Sequence, residues 1–229
     1  KYTNETRLSM EDASQHSGCH CFVEKPLAAT AAEGRDLAAA ARAAGRVLQV
    51  GHVFRFHPVT ATLQGALAMA RIGAIRYASA RFSGFKRPRT DVGVTQADAI
   101  HYFDLFAHLL GRAATSAWSI QRDYLGRGLD DLSLTLVSYG DIPVMVEADY
   151  FAPGTHRECL IVGERGSLVA DYGNSTVTLH AGAHRCRESG WEAVDTGKEE
   201  LAATGHEPLR LELAAFLDAC GGRAPNPVP

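Results

Sequence analysis

The chain has 229 residues, 46% of them apolar and 21% charged, and 23 Lys plus Arg against 26 Asp plus Glu give a formal charge of −3. So many apolar residues with so little net charge exclude a disordered chain, and the lack of a basic run argues against nucleic acid or an anionic membrane as the main partner. At roughly 100 to 200 residues per domain, the length leaves the domain count open. No apolar stretch reaches the roughly 18 residues that span a bilayer, and Lys1 to Gln15 lacks the apolar core of a signal peptide, so a cytoplasmic protein is expected. The cysteines Cys19, Cys21, Cys159, Cys186 and Cys220 are scattered, form no C-x-x-C pair and predict reduced thiols.

The first 20 residues are polar and weakly patterned. A short apolar strand, Cys21-Phe22-Val23, then runs into Glu24-Lys25-Pro26. Thr30 to Gly45 reads as an Ala-rich helix with Thr30 as N-cap and Glu33 completing a capping box, and Val47 to Val53 as a second apolar strand. Strand, helix, strand in so few residues is a βαβ unit. After Pro58 the pattern predicts a helix over Val59 to Arg71, a strand from Ala74 to Phe82, a basic loop Lys86-Arg87-Pro88-Arg89, and a helix from Ala97 to Leu110 stopped by Gly111. At 100° per residue the last helix gathers Ile100, Phe103, Phe106, Ala107 and Leu110 on one face and Asp98, His101, Asp104 and His108 on the other.

From Ser116 the period changes to two. Leu132, Leu134 and Leu136 alternate with Ser133 and Thr135, and Val144, Val146 and Ala148 with Met145, Glu147 and Asp149. Shorter strands fit Glu158 to Val162, Ser167 to Asp171 and Thr176 to His180, with turn residues between them. A largely antiparallel sheet with one covered face is expected, followed by a helix from Glu207 to Ala219 and a Pro-rich end.

Lys25 is the first chemical candidate. In open α/β sheets ligands bind beyond the carboxyl ends of the strands, and a cis Lys-Pro bond would turn its side chain into that crevice; a solvated turn lysine is the plain alternative. His101 is the second: a His one turn from Asp98 and Asp104 can donate from one ring nitrogen to a carboxylate and offer the other to a substrate hydroxyl, although a solvated helix face would read the same. No metal site is expected. Cys19-His20-Cys21 with His16, and His180, His184 and Cys186, fit no standard zinc spacing, and strand alternation is expected to split them across faces. No G-x-G-x-x-G turn occurs; Gly126-Arg127-Gly128 is a decoy, with Asp131 at the third glycine position.

Cys21-Phe22-Val23-Glu24-Lys25-Pro26-Leu27-Ala28, Val50-Gly51-His52-Val53-Phe54-Arg55-Phe56, and Gly93-Val94 leading to His101-Tyr102-Phe103-Asp104-Leu105 and Leu109-Leu110-Gly111 resemble, in order and spacing, the glucose-fructose oxidoreductase/inositol dehydrogenase (Gfo/Idh/MocA) family. The resemblance runs from about Gly18 to the end, and residues 1 to 17 do not match. It implies an α/β protein: a partial Rossmann domain, residues 1–53, and a substrate and oligomerisation domain, residues 54–229, with a large open, mainly antiparallel sheet. It implies NAD or NADP as cofactor and a sugar, inositol or sugar nucleotide as substrate. Carried over by motif, Lys25 would sit by the nicotinamide and bond the substrate hydroxyl, Glu24 and Pro26 would shape that turn, Arg55 would border the cofactor or substrate, and His101 would be the acid–base partner.

Two departures stand out. The family commonly has Asp four residues before the His, where this chain has Ala97; Asp98, three before, is taken as a substrate-contacting replacement. The basic loop with Arg89-Thr90-Asp91-Val92-Gly93-Val94 resembles members acting on nucleotide sugars, whose diphosphate needs cations, although a solvated loop carries the same charges. The absent glycine turn, and an end in a Pro-rich loop where relatives continue into further helix, predict that the chain is a fragment, or the product of a truncated gene, of such a dehydrogenase, lacking about a hundred residues at its start and slightly shortened at its end. The rival expectation is a catalytically inactive piece acting as an oligomerising sheet domain; in either case the open sheet predicts a homodimer or homotetramer.

Overall fold

The computed structural model describes residues 18–228. Its helices are α1 (Ala31–Ala43), α2 (Pro58–Ala68), α3 (Ile100–Leu110) and α4 (Pro208–Cys220), and its strands are β1 (Cys21–Glu24), β2 (Leu48–Gly51), β3 (Ile75–Gly84), β4 (Ser116–Arg122), β5 (Leu132–Tyr139), β6 (Ile142–Asp149), β7 (Thr155–Gly163), β8 (Gly166–Asp171), β9 (Thr176–Arg187) and β10 (Gly190–Leu201). The chain divides into two compact units, residues 1–56 with 206–229, and residues 57–205. No described helix is long and apolar enough to cross a membrane.

In the first unit β1 and β2 pair in parallel, with Glu24 opposite Gly51, and α1 connects them. Thr30 caps α1 through a full capping box with Glu33, and Gly45, at φ +64°, follows its end. These are local interactions, which is why they can be read from sequence. Phe22 of β1 meets Phe216 of α4 edge to face at 5.7 Å, and Gln49, buried in β2, donates from Nε2 to the Glu212 carbonyl at 3.3 Å. The C-terminal segment lies along β2: Val50 N donates to Val228 O at 3.3 Å and Asn226 Nδ2 to Leu48 O at 2.7 Å.

The second unit is built on an eight-stranded sheet in the order β10-β9-β8-β7-β3-β6-β5-β4, antiparallel throughout except for the parallel β3–β6 pair. Ala78, Ala80, Phe82, Val144, Val146, Ile161 and Leu168 are buried on one face, and α2 and α3 lie against the strands. The opposite face carries exposed Trp118, Leu134, Leu136, Met145 and Val169, with Trp118, Leu136 and Met145 directly adjacent across β4, β5 and β6. The alternation in β5 is therefore the reverse of what hydrophobicity suggests. Ser133 and Thr135 point to the covered side, where Thr135 Oγ1 bonds Ser133 Oγ at 3.0 Å and Ser119 Oγ at 2.8 Å, and the leucines point outward.

Other expectations are corrected. The helix after Pro58 stops at Ala68, three residues before Arg71. β9 runs on to Arg187 and pairs with β10, a strand whose charged, non-alternating sequence gives no period-two signal. His180, His184 and Cys186 occupy even positions of one strand and share a face rather than being split. At about 3.3 Å per residue, His180 and His184 are roughly 13 Å apart, too far to share an ion. Among the described residues no three His, Cys, Asp or Glu side chains converge, and His16 lies outside them. Gly126-Arg127-Gly128 forms the β4–β5 loop, held by Asp123, which accepts from Arg127 N at 2.9 Å and Gly128 N at 2.7 Å.

The largest correction concerns α3. Its buried residues are His101, Tyr102, Leu105 and Phe106, while Ile100, Phe103, Ala107 and Leu110 are half-buried. Phe103 and Ala107 line an apolar cleft of about 400 Å³ with Ala114, Ala117, Val137 and Tyr139. The turn before α3, Thr95–Ala99, is a π-turn, wider than an α-turn, so a wheel of 100° per residue does not hold across it. Asp98, inside that turn, and His101, in the first turn of α3, are nevertheless both buried, so this part of the polar face is not solvated.

Candidate active site

In the second unit the site begins at the end of β3. Phe82 is buried on the covered face, and the chain then leaves the sheet through Gly84 into the basic loop. Lys86 in that loop returns to the sheet end, its Nζ 2.7 Å from Asp98 Oδ2, 5.0 Å from the Phe82 centroid and 5.5 Å from the Tyr150 centroid. His101 stacks on Phe82, with centroids 5.2 Å apart and planes 12° from parallel. From β7, opposite Phe82 in register, the Arg157 guanidinium lies 3.5 Å from the same ring centroid. Burial, and then the charge of Asp98, push the Tyr150 phenol up to about 12, so it is neutral in this cluster.

The approach to α3 is fixed by Asp130. Its carboxylate accepts from Thr95 N at 2.8 Å and Thr95 Oγ1 at 2.6 Å, and its carbonyl accepts from Val94 N at 2.8 Å. Gly93 makes this possible: a Cβ there would lie 1.6 Å from Asp130 Oδ1.

The predicted residues Asp98 and His101 thus come together, and Lys86 joins them. Arg89 is committed to Asp91, donating to it through Nε at 2.8 Å and Nη2 at 2.5 Å, and this contact holds the Asp91 carboxyl down at about 2. Arg87 is exposed and has no carboxylate partner among the described residues. Phe82, Tyr150 and Arg157 were not singled out from sequence. No sequence signal marks them, and Arg157 falls one residue before the strand expected from Glu158 to Val162.

In the first unit Lys25 is half-buried just past the carboxyl end of β1, beside a cis peptide to buried Pro26. The Glu24 carboxylate lies across Gly51 at the carboxyl end of β2, where an added Cβ would meet it at 3.1 to 3.3 Å. Arg55 donates from Nη1 to the Pro227 carbonyl at 2.7 Å. This lysine and this carboxylate stand at the carboxyl ends of parallel strands, where ligands of open α/β sheets collect. The described residues include no glycine-rich turn to receive a pyrophosphate.

The chain matches two family models, one described as an oxidoreductase family with an NAD-binding Rossmann fold, over residues 3–52, and one as the GFO/IDH/MocA C-terminal domain, over residues 60–169. The first match corrects the expectation that residues 1 to 17 fall outside the resemblance; their polar text has no periodicity to read. UDP-N-acetylglucosamine 3-dehydrogenase of Acidithiobacillus ferrooxidans is 33% identical over 230 residues, covering 95% of this chain and 71% of that protein. The uncharacterized oxidoreductase YdgJ of Escherichia coli is 27% identical, covering 99% and 71%, and inositol 2-dehydrogenase 1 of Saccharopolyspora erythraea is 29% identical, covering 98% and 66%. The solved structure of the Acidithiobacillus enzyme superposes with a TM-score of 0.79 at 22% identity over the superposition, covering 98% of this chain and 69% of that one, and so supports the fold. The chain belongs to the Gfo/Idh/MocA family of NAD(P)-dependent oxidoreductases.

Proposed function

We propose that this oxidoreductase moves hydride between NAD(P) and a hydroxyl-bearing carbon of a sugar, inositol or sugar nucleotide, with a lean toward nucleotide sugars. The observation that carries the reading is the burial of His101 on Phe82 beside the Asp98–Lys86 pair. A histidine held there has a fixed ring plane, as an acid–base group needs. Bound NAD(P) supplies the hydride acceptor. His101 takes the proton of the reacting hydroxyl, Lys25 stabilises the oxygen as that proton leaves, and Asp98 with Lys86 holds a neighbouring hydroxyl. Glu24, Pro26 and, at the end of the βαβ unit, Arg55 are the candidates to border the cofactor. The lean rests on exposed Arg87 and on two relatives whose names specify nucleotide-linked sugars, the dehydrogenase above and a dTDP-3,4-didehydro-2,6-dideoxy-alpha-D-glucose 3-reductase of Streptomyces violaceoruber.

The test is NADH fluorescence titration of the 229-residue protein, followed by assay with NAD⁺ or NADP⁺ against UDP-N-acetylglucosamine and myo-inositol. Binding is expected, with turnover lost in Lys25→Ala and His101→Ala. Turnover undiminished in either variant would refute the residue assignments, and absence of nicotinamide binding would favour the inactive-domain reading.

The uncovered sheet face supports self-association as well. Trp118, Leu136 and Met145 form a contiguous exposed apolar strip, which a second copy of the sheet would cover. Light scattering is expected to give a dimer or tetramer that Leu136→Asp dissociates; a monomeric native protein at micromolar concentration refutes it.

A further inference from the structure

Arg157 stands out because its charge has no counterpart. The guanidinium is half-buried and stacked on Phe82, and Nη1 donates to the backbone carbonyls of Ser83 at 3.0 Å and His156 at 2.6 Å. An arginine has five N–H donors, and no carboxylate pairs with this one among the described residues. The acids around it are engaged elsewhere. Asp98 holds Lys86 at 2.7 Å, and Glu158, next in sequence, takes the opposite sheet face opposite Arg81 and accepts from His156 at 3.0 Å. Asp149 is opposite Ser83 on that same face, and Asp131 is taken by Arg127. Burial keeps the phenols of Tyr102 and Tyr172 neutral and pushes the Arg157 guanidinium below its ordinary value, with the charge of Asp98 opposing that shift.

With His101 neutral, as a proton acceptor must be, Lys86 and Asp98 cancel and the cluster keeps one positive charge. A partly buried cation without a partner is costly, and a planar fork of N–H donors beside an aromatic ring suits an oxyanion. We propose that Arg157 is a substrate-binding residue that reads a carboxylate or phosphate group near the carbon handled by His101, so that the substrate is an anionic sugar derivative. This rests on the acid–base reading of His101, and Phe82 supplies the link, because one ring orients both the imidazole and the guanidinium.

The experiment measures binding, not turnover. Calorimetric titration of the native 229-residue chain with glucose, glucuronate and glucose 1-phosphate is expected to show one of the two anions bound at least about tenfold more tightly than glucose, the stronger naming the anion type. Arg157→Gln is expected to bring that anion to the level of glucose and leave glucose unchanged. Because Arg157 also bridges two backbone carbonyls, folding of the variant is checked by circular dichroism. Arg157→Lys, which keeps the charge without the fork, is expected to lose several-fold for the anion and nothing for glucose. Equal affinity for the three probes, no binding of either anion, or an anion preference intact in both variants would overturn the proposal. Dehydrogenase failure alongside an intact anion preference would count against the hydride-transfer reading and leave the anion site standing.

Discussion

Lys86 Nζ lies 2.7 Å from Asp98 Oδ2, joining the loop after β3 to the π-turn before α3 across 12 residues of chain. The carboxylate side chain is 9% exposed and the lysine 36%, so the two partners are not equivalent. Lys86→Met strands a buried carboxylate and is expected to cost about 1–3 kcal/mol, toward the lower end because water reaches the lysine. Asp98→Asn leaves a cation that solvent can hydrate and costs less. Urea unfolding of the two single variants and the double variant checks this: the double variant is expected to recover much of the Lys86→Met loss, and strict additivity would show that the pair is not coupled.

Gly93 is required for space. Alanine would place Cβ 1.6 Å from Asp130 Oδ1 and force out the carboxylate that holds Thr95 N and Thr95 Oγ1. Gly93→Ala is expected to destabilise the second unit by about 2–4 kcal/mol, combining overpacking with lost capping bonds. Thermal unfolding by circular dichroism reads the effect. Asp130→Ala should remove most of the additional cost of alanine at 93, because the clash and the lost bonds involve the same carboxylate.

How much of this is legible in sequence depends on how local its cause is. Thr30 with Glu33, and Gly111 at φ +63°, act within one turn and can be read directly. The burial of His101 depends on Phe82, 19 positions earlier, so an α-helical wheel alone does not distinguish a substrate-facing polar face from a solvated one. Leu134 and Leu136 suggest a core, yet Ser133 and Thr135 take the covered side, since Ser119 and Thr135 satisfy each other across β4 and β5. Arg157 joins the site only through the β3–β7 register, which no motif announces.

Asp149 is expected to contribute to an acid limit. Burial alone would raise its pKa, but the hydroxyl of Ser83, the N–H groups of Ala152 at 2.6 Å and Phe151 at 2.7 Å, and the charge of Arg81 outweigh it and hold the carboxyl below its ordinary value. A depressed folded pKa contributes stability that is full above the unfolded value near 4 and drains as pH falls through the folded one. Asp149→Asn keeps an acceptor but not the charge. Its stability deficit, roughly 1–2 kcal/mol at pH 7, is expected to shrink below about pH 4. A deficit constant from pH 7 to 2 in denaturant titrations would show that this carboxylate does not set the limit.

Glu24 and Gly51 offer a separate test of the first unit. They are opposite each other at the carboxyl ends of β1 and β2, and the Glu24 carboxylate occupies the space above Gly51 that any larger residue would need. The separation of 3.1 to 3.3 Å is tight for a Cβ contact without being prohibitive, so Gly51→Ala shifts the carboxylate instead of unfolding the strand pair. If Glu24 borders the nicotinamide, that shift is expected to weaken NADH binding by about three- to tenfold, or 0.7–1.4 kcal/mol, with little change in the melting temperature. Adding Gly51→Ala to Glu24→Ala should then do almost nothing further, because the group it displaces is gone. Losses that add fully would mean that Gly51 acts on the cofactor by another route, through backbone approach, and would remove the reason to place Glu24 at the nicotinamide.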